Sequence, residues 1–160
     1  KLREAIKPII DRYDYILIDC PPSLSLLTVN GLMAARDGVI IPVQCEYLAL
    51  EGLGQLTQTL NRIRSSLFPE MKVRGVILTM FDSRTNLSMD VVKEVKKFFP
   101  NQVMNSVIPR SIRLAEAPSY GLPIANYAPE ASSAKAYAAL ARELLLQDGV
   151  KVISDQEQAG

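Results

Sequence analysis

The chain has 160 residues, 48% of them hydrophobic, with 18 basic and 17 acidic side chains and a formal charge of +1. That is enough apolar surface to build a core, and the near-zero charge gives no general pull towards a polyanion. Histidine is absent, which excludes Ser–His–Asp and Cys–His catalytic pairs and any His-ligated metal within these residues. Cys20 and Cys45 are too few for a disulfide framework and form no C-x-x-C, so they read as free thiols in a reducing cytosol. No run reaches the roughly 18 apolar residues of a membrane span, and no basic-then-apolar leader is present. The sequence therefore reads as soluble and cytoplasmic.

The first residues already show helical spacing at Leu2, Ile6, Ile9 and Ile10, and the chain opens on Lys1, not Met. It reads as a piece of a longer protein. Strand-type runs rich in Ile and Val follow at Tyr15–Ile18, Gly38–Val43, Val73–Met80 and Val103–Ile108, without the polar alternation of a half-exposed sheet. Helical stripes lie between them. The first holds Leu24, Leu27 and Leu32, the second runs from Leu50 to Leu67, and the third from Val91 to Phe99. A last helix is expected over about 134–146, with Tyr137, Leu140 and Leu144 on one face. Strand and helix alternating at this spacing predict an α/β fold: a doubly wound, mostly parallel sheet with helices on both faces. Residues 1–147 are expected to form one domain and 148–160 a polar tail. Pro109, Pro118, Gly121, Pro123 and Pro129 make 109–129 mainly an expected ordered loop with one short helical turn.

In such a sheet, ligands sit beyond the carboxyl ends of the strands, which directs attention to the loops after Asp19, Val43, Met80 and Ile108. The segment YDYILIDCPPS, residues 13–23, leads a strand-like run into Asp19 and then Pro21 and Pro22. A carboxylate at a strand end suits a Mg²⁺ on a nucleotide phosphate, and equally suits an acceptor for loop N–H groups or a cap for the next helix. Paired prolines make the exit stiff. No G-x-x-x-x-G-K-[ST] occurs, so these residues contain no phosphate-cradling loop.

Four blocks in order, LIDCPPSLSLLTVN, IPVQCEYLALEGL, ILTMFDSRTNL and VIPRSIRLAEAPSYGLPI, resemble the ParA/Soj group of chromosome- and plasmid-partitioning ATPases, deviant Walker A members of the P-loop NTPases. The resemblance runs from about residue 13 to 145 and covers the C-terminal part of that family's domain, with the P-loop lying upstream. It implies ATP and Mg²⁺ as cofactors. Asp19 would be the Walker B carboxylate, acting on the metal through water. Pro21, Pro22 and Ser23 would form the switch that senses the γ-phosphate. Thr79, Met80 and Phe81 with Pro109 and Arg110 would flank the adenine. Gln44, Glu46, Tyr47 and Glu51 would lie near the interface of an ATP-sandwich homodimer. The partners implied are non-specific double-stranded DNA, contacted by Arg84 and Arg113, and a ParB-like centromere-binding protein that stimulates hydrolysis; the location implied is nucleoid-associated. The terminal helix lacks the basic amphipathic tail of the membrane-binding MinD relatives, so no membrane partner is expected. No catalytic residue is assigned within these residues, and the chain alone is expected to be inactive towards ATP.

Charge distribution points the same way. Residues 62–113 hold ten basic and four acidic side chains, a local +6 against −5 for the rest. Such asymmetry fits a phosphate-neutralising face, although Lys93, Lys96 and Lys97 fit a solvated helix face as well. Arg84 and Arg113 fall in strand-end loops. Two other classes remain open at this point: a superfamily ATPase that positions proteins or binds membrane, and a non-enzymatic α/β dimerisation module.

Overall fold

The computed structural model describes residues 1–21 and 25–152, and within helix α3 it leaves out the side chains of Leu48, Leu50 and Glu51. In chain order the elements are α1 (Leu2–Ile6), a 3-10 segment (Lys7–Arg12), α2 (Leu26–Ala34), β1 (Val39–Gln44), α3 (Tyr47–Ser66), β2 (Val73–Phe81), α4 (Asn86–Phe98) and β3 (Val103–Pro109). There follow α5 (Ile112–Glu116), a 3-10 turn (Ala117–Tyr120), α6 (Ile124–Tyr127) and α7 (Ser132–Gln147). The strands form one sheet in the order β1-β2-β3. Three of the four strand expectations and all four principal helices are found within a few residues of their predicted places.

The chain divides into two compact units, residues 1–41 with 55–75, and residues 42–54 with 76–160. In the first, α1 rests on α2. Helix α2 starts at Ser25, whose hydroxyl accepts from the Thr28 N–H at 3.4 Å. A Cβ on Gly31 would stand 2.5 Å from the Cys20 sulfur and 3.3 Å from Ile18 Cγ2, so glycine lets α2 approach the segment that carries Asp19. Ala34, Ile41, Leu60, Ile63 and Met71 are buried here.

The expected strand Tyr15–Ile18 is not a strand. Its residues alternate in exposure, and Leu17 is 87% exposed where a doubly covered strand would bury it. A strand is defined by its neighbour's ladder, and the sheet of β1, β2 and β3 does not include this segment.

In the second unit, Met104 and Ile108 of β3 and Leu140 of α7 form a core with Ile77, Leu114, Ala136 and Leu144 packed around it. Val76, Leu78, Val91, Val95 and Phe99 are buried in the same unit. Strands β2 and β3 run parallel, pairing Val76 with Val103, Leu78 with Val107 and Phe81 with Pro109. Between the first two pairs β3 spends four residues against two of β2, and between the last two β2 spends three against two. Met80 absorbs that second irregularity with a left-handed φ of 53°. Residues 109–129 hold three short helical pieces, more than the single turn expected. Pro118 sits in the first turn of its 3-10 piece, where a missing N–H costs nothing.

Candidate functional site

The carboxyl ends of β1, β2 and β3 lie in the second unit and are tied together by backbone and hydroxyl bonds. Cys45 N–H donates to the Thr79 carbonyl at 2.8 Å, the Thr79 hydroxyl to the Val43 carbonyl at 3.3 Å, and Arg110 N–H to the Phe81 carbonyl at 2.9 Å. Ser88, 2% exposed at the start of α4, donates to the Cys45 carbonyl at 3.2 Å and accepts from Asp82 N–H at 3.3 Å. One buried hydroxyl thus joins the ends of β1 and β2.

Two clefts open at these ends. The first, about 490 Å³, is lined by Thr79 and Met80 from β2, Ile108 and Pro109 from β3, then Arg110 and Ile112, among others. It is mostly apolar, with the Arg110 guanidinium and the hydroxyl residues Thr79, Ser111 and Tyr137 in its lining, a chemistry that suits a flat heteroaromatic ring with polar edges. The second, about 510 Å³, is lined by Phe81, Asp82, Arg84, Pro109, Arg110 and Arg113, with Ser83 and Ile112. Pro109, Arg110 and Ile112 line both. Four of the five residues expected to flank a nucleotide base therefore border the first cleft, while Phe81 borders the second. Arg84 and Arg113 share the second.

The second cleft is balanced in charge. Arg84 donates through Nε and Nη2 to the two carboxylate oxygens of Asp82 at 2.9 and 2.7 Å, and its backbone N–H reaches the same carboxylate at 3.0 Å. Those Arg84 hydrogen bonds, side chain first and backbone second, hold the Asp82 carboxyl down at about 2. Arg110 is ion-paired with Glu46. Arg113 pairs with Glu116 at 3.0 Å, and the Tyr127 hydroxyl donates to the same Glu116 oxygen at 3.0 Å. The partners Asp82 and Glu116 were legible only as nearby letters: D-x-R, and R-x-x-E one helical turn apart.

The remaining expected residues are placed as follows. Asp19 is exposed in the first unit, and the nearby Pro21 carbonyl accepts from the Thr28 hydroxyl at 3.3 Å. Pro22 and Ser23 lie outside the described residues, as does the Glu51 side chain. Gln44 and Tyr47 are exposed beside Glu46 at the end of β1. Among the described residues no cluster of three His, Cys, Asp or Glu side chains could cage a metal. A single carboxylate fits a Mg²⁺ that takes most of its ligands from phosphates and water. Cys20 and Cys45 are both free, and burial pushes the Cys45 thiol up to about 11, so it is an inert core residue at neutral pH. Among the described residues, no helix is long and apolar enough to cross a membrane.

A parallel sheet flanked by helices, with clefts at its carboxyl edge, has counterparts among solved structures. A cobyrinic acid a,c-diamide synthase from Mycobacterium smegmatis aligns over 96% of this chain and 56% of its own, at 34% identity and a TM-score of 0.69. The same protein with bound ADP and magnesium aligns over 69% of this chain and 44% of its own, at 41% identity and a TM-score of 0.60. The septum site-determining protein MinD of Pyrococcus horikoshii, complexed with Mg-ADP, shares the fold at 24% identity and a TM-score of 0.70, over 94% of this chain and 59% of its own. The class is thus the α/β fold of P-loop NTPases. A family model described as an AAA domain matches residues 1–73. Chromosome partitioning protein ParA of Myxococcus xanthus is 51% identical over 94% of this chain and 53% of its own length. Soj of Bacillus subtilis, a sporulation initiation inhibitor protein, is 51% identical over 90% and 56%. The chromosome-partitioning ATPase Soj of Treponema pallidum is 49% identical over 92% and 58%. Over nine-tenths of its length the chain is similar to ParA/Soj proteins, as a fragment of that family would be, and it spans about half the length of these relatives.

Proposed function

We propose that the protein containing this chain is a partitioning ATPase of the ParA/Soj type. It binds ATP and Mg²⁺ as a dimer and coats double-stranded DNA without reading its sequence. A ParB-like centromere-binding protein stimulates hydrolysis, and the protein works in the cytoplasm on the nucleoid. The observation that carries this reading is the pair of clefts sharing Pro109 and Arg110: an apolar one suited to a base, beside one with three arginines.

In this reading the first cleft receives the adenine, with Ile108, Pro109 and Met80 as its apolar walls and Thr79 and Arg110 at its polar rim. Asp19 holds the Mg²⁺, and Pro21, Pro22 and Ser23 respond to the γ-phosphate. Bound ATP–Mg²⁺ supplies the phosphoryl group to be transferred and the charge neutralisation that transfer needs. Gln44, Glu46 and Tyr47, about the end of β1, lie near the interface with the second subunit, and Glu51 is assigned to that interface by its place in the sequence. Residues 1–147 act as one domain of that protein and 148–160 as its tail. Arg84 and Arg113 contact phosphates, which gives affinity that falls steeply with salt.

In the complete protein, Arg84→Glu and Arg113→Glu are expected to abolish duplex binding and leave ATP binding intact, read by electrophoretic mobility and by a fluorescent ATP analogue. Unchanged duplex affinity at low salt would contradict the assignment.

A further inference from the structure

The three arginines of the second cleft are 84%, 51% and 62% exposed for Arg84, Arg110 and Arg113, yet each is engaged by a carboxylate of its own unit. Asp82, Glu46 and Glu116 cancel the three positive charges one for one. A cleft so balanced neutralises no phosphates until its internal pairs open. Asp82 is ionised at any physiological pH, so the Arg84 pair is present throughout and not switched by protons. The arginine ends of these pairs are exposed, while the carboxylates are only partly so, at 17% for Asp82 and 37% each for Glu46 and Glu116, so a dense row of phosphates can reach all three guanidinium groups and compete for them.

We infer that Asp82 and Glu116 are built-in competitors of the phosphate backbone: they occupy Arg84 and Arg113 in the free protein and set the threshold at which a polyanion binds. This rests on the DNA reading of the cleft given above. Arg110, bordering both clefts and paired with Glu46 from the loop after β1, is a third arginine of the same surface. A polyanion gains by meeting all three at once, because every pair after the first is displaced within an already formed complex. A lone phosphate has no such gain, so the device selects for duplex over small anions.

The geometry makes a clean test available. Asn at 82 keeps an oxygen for the Arg84 backbone N–H, and Gln at 116 keeps one for the Tyr127 hydroxyl, so both variants remove charge while retaining the acceptor. The two residues lie on different elements, Asp82 just after β2 and Glu116 at the end of α5, so misfolding of one variant leaves the other to decide. The measurement is fluorescence anisotropy of a short labelled duplex against the complete protein with ATP and Mg²⁺, at salt from about 50 to 200 mM. Asp82→Asn and Glu116→Gln are each expected to tighten binding about two- to fivefold, the ratio an exposed ion pair is worth. Each should also steepen the salt dependence, by about 0.9 in log–log slope per arginine released. If binding needs Arg84 and Arg113 but both amide variants bind as wild type or more weakly, the competition is overturned and the DNA reading stands. If wild-type binding is indifferent to Arg84→Glu and Arg113→Glu, the DNA reading fails and the competition falls with it.

Discussion

Gly38 adopts φ of +124°, and a Cβ there would stand 2.8 Å from the Lys72 carbonyl oxygen. The obstacle is backbone, fixed by the 2.8 Å bond from Val39 N–H to that same carbonyl at the start of the β1–β2 pairing. Gly38→Ala is therefore expected to cost about 2–3 kcal/mol, combining a strained φ with a contact that cannot relax. A denaturant midpoint equal to wild type would show that the entry to β1 yields more easily than its geometry implies. At this same scale the sequence was least informative about partners. Asp82 and Glu116 entered a charge count as two acids among many, yet each sits against the arginine that matters most for the proposed function. An ion pair two or three residues apart depends on the local turn, and composition carries no record of that turn.

Among the elements, α7 and β3 show how a helix is pinned to a strand. The Glu143 carboxylate accepts from Asn105 N–H at 2.7 Å, Asn105 Nδ2 at 3.0 Å and Ser106 N–H at 2.8 Å. Two consecutive backbone N–H groups turn to one side chain where β3 spends extra residues against β2, so the carboxylate satisfies donors that the irregular ladder leaves over. Burial pushes the Glu143 carboxyl up, and the combined bonds from Asn105 and Ser106 outweigh it, leaving the group below its ordinary 4.5. A depressed carboxyl stabilises the fold above its unfolded value, and that stabilisation is lost as pH falls from 4.5 through the folded value. Glu143→Gln offers one acceptor and turns an NH₂ towards a backbone N–H. It is expected to cost about 1–3 kcal/mol at neutral pH and to flatten acid sensitivity below pH 4.5. Equal urea midpoints for the two proteins at pH 7 would contradict this.

The same scale shows why some elements were legible and others were not. The runs that became β1, β2 and β3 are rich in Val and Ile and find each other as neighbours, so a local signal and its tertiary outcome agree. Tyr15–Ile18 carries the same signal, but its outcome depends on a ladder partner that the described sheet does not provide. Helices of five and four residues at 112–116 and 124–127 are shorter than the period needed to recognise them, and prolines around them imitate a loop.

At the scale of the molecule, two clefts meet along Pro109 and Arg110, one apolar and one lined by arginines that their own acids neutralise. A nucleotide-dependent event at one and polyanion binding at the other would share lining residues, which is the kind of contact a nucleotide-switched DNA binder needs. Phosphate chemistry also requires a Gly-rich cradle and its lysine, and the 160 residues contain no G-x-x-x-x-G-K-[ST]. The 160-residue chain by itself is accordingly expected to show no ATP turnover in a phosphate-release assay with Mg²⁺. Metal-dependent turnover in a purified sample would refute that division of labour.

The central claim, that these residues serve a phosphate-handling ATPase, is tested most directly by reading the coding sequence immediately upstream of Lys1. The account predicts a K-G-G-x-G-K-[ST] loop between a strand and a helix, which would make Asp19 the metal-site carboxylate of a complete nucleotide site. An upstream start codon with no such loop would contradict it, leaving a family relative that keeps the fold without the phosphate chemistry.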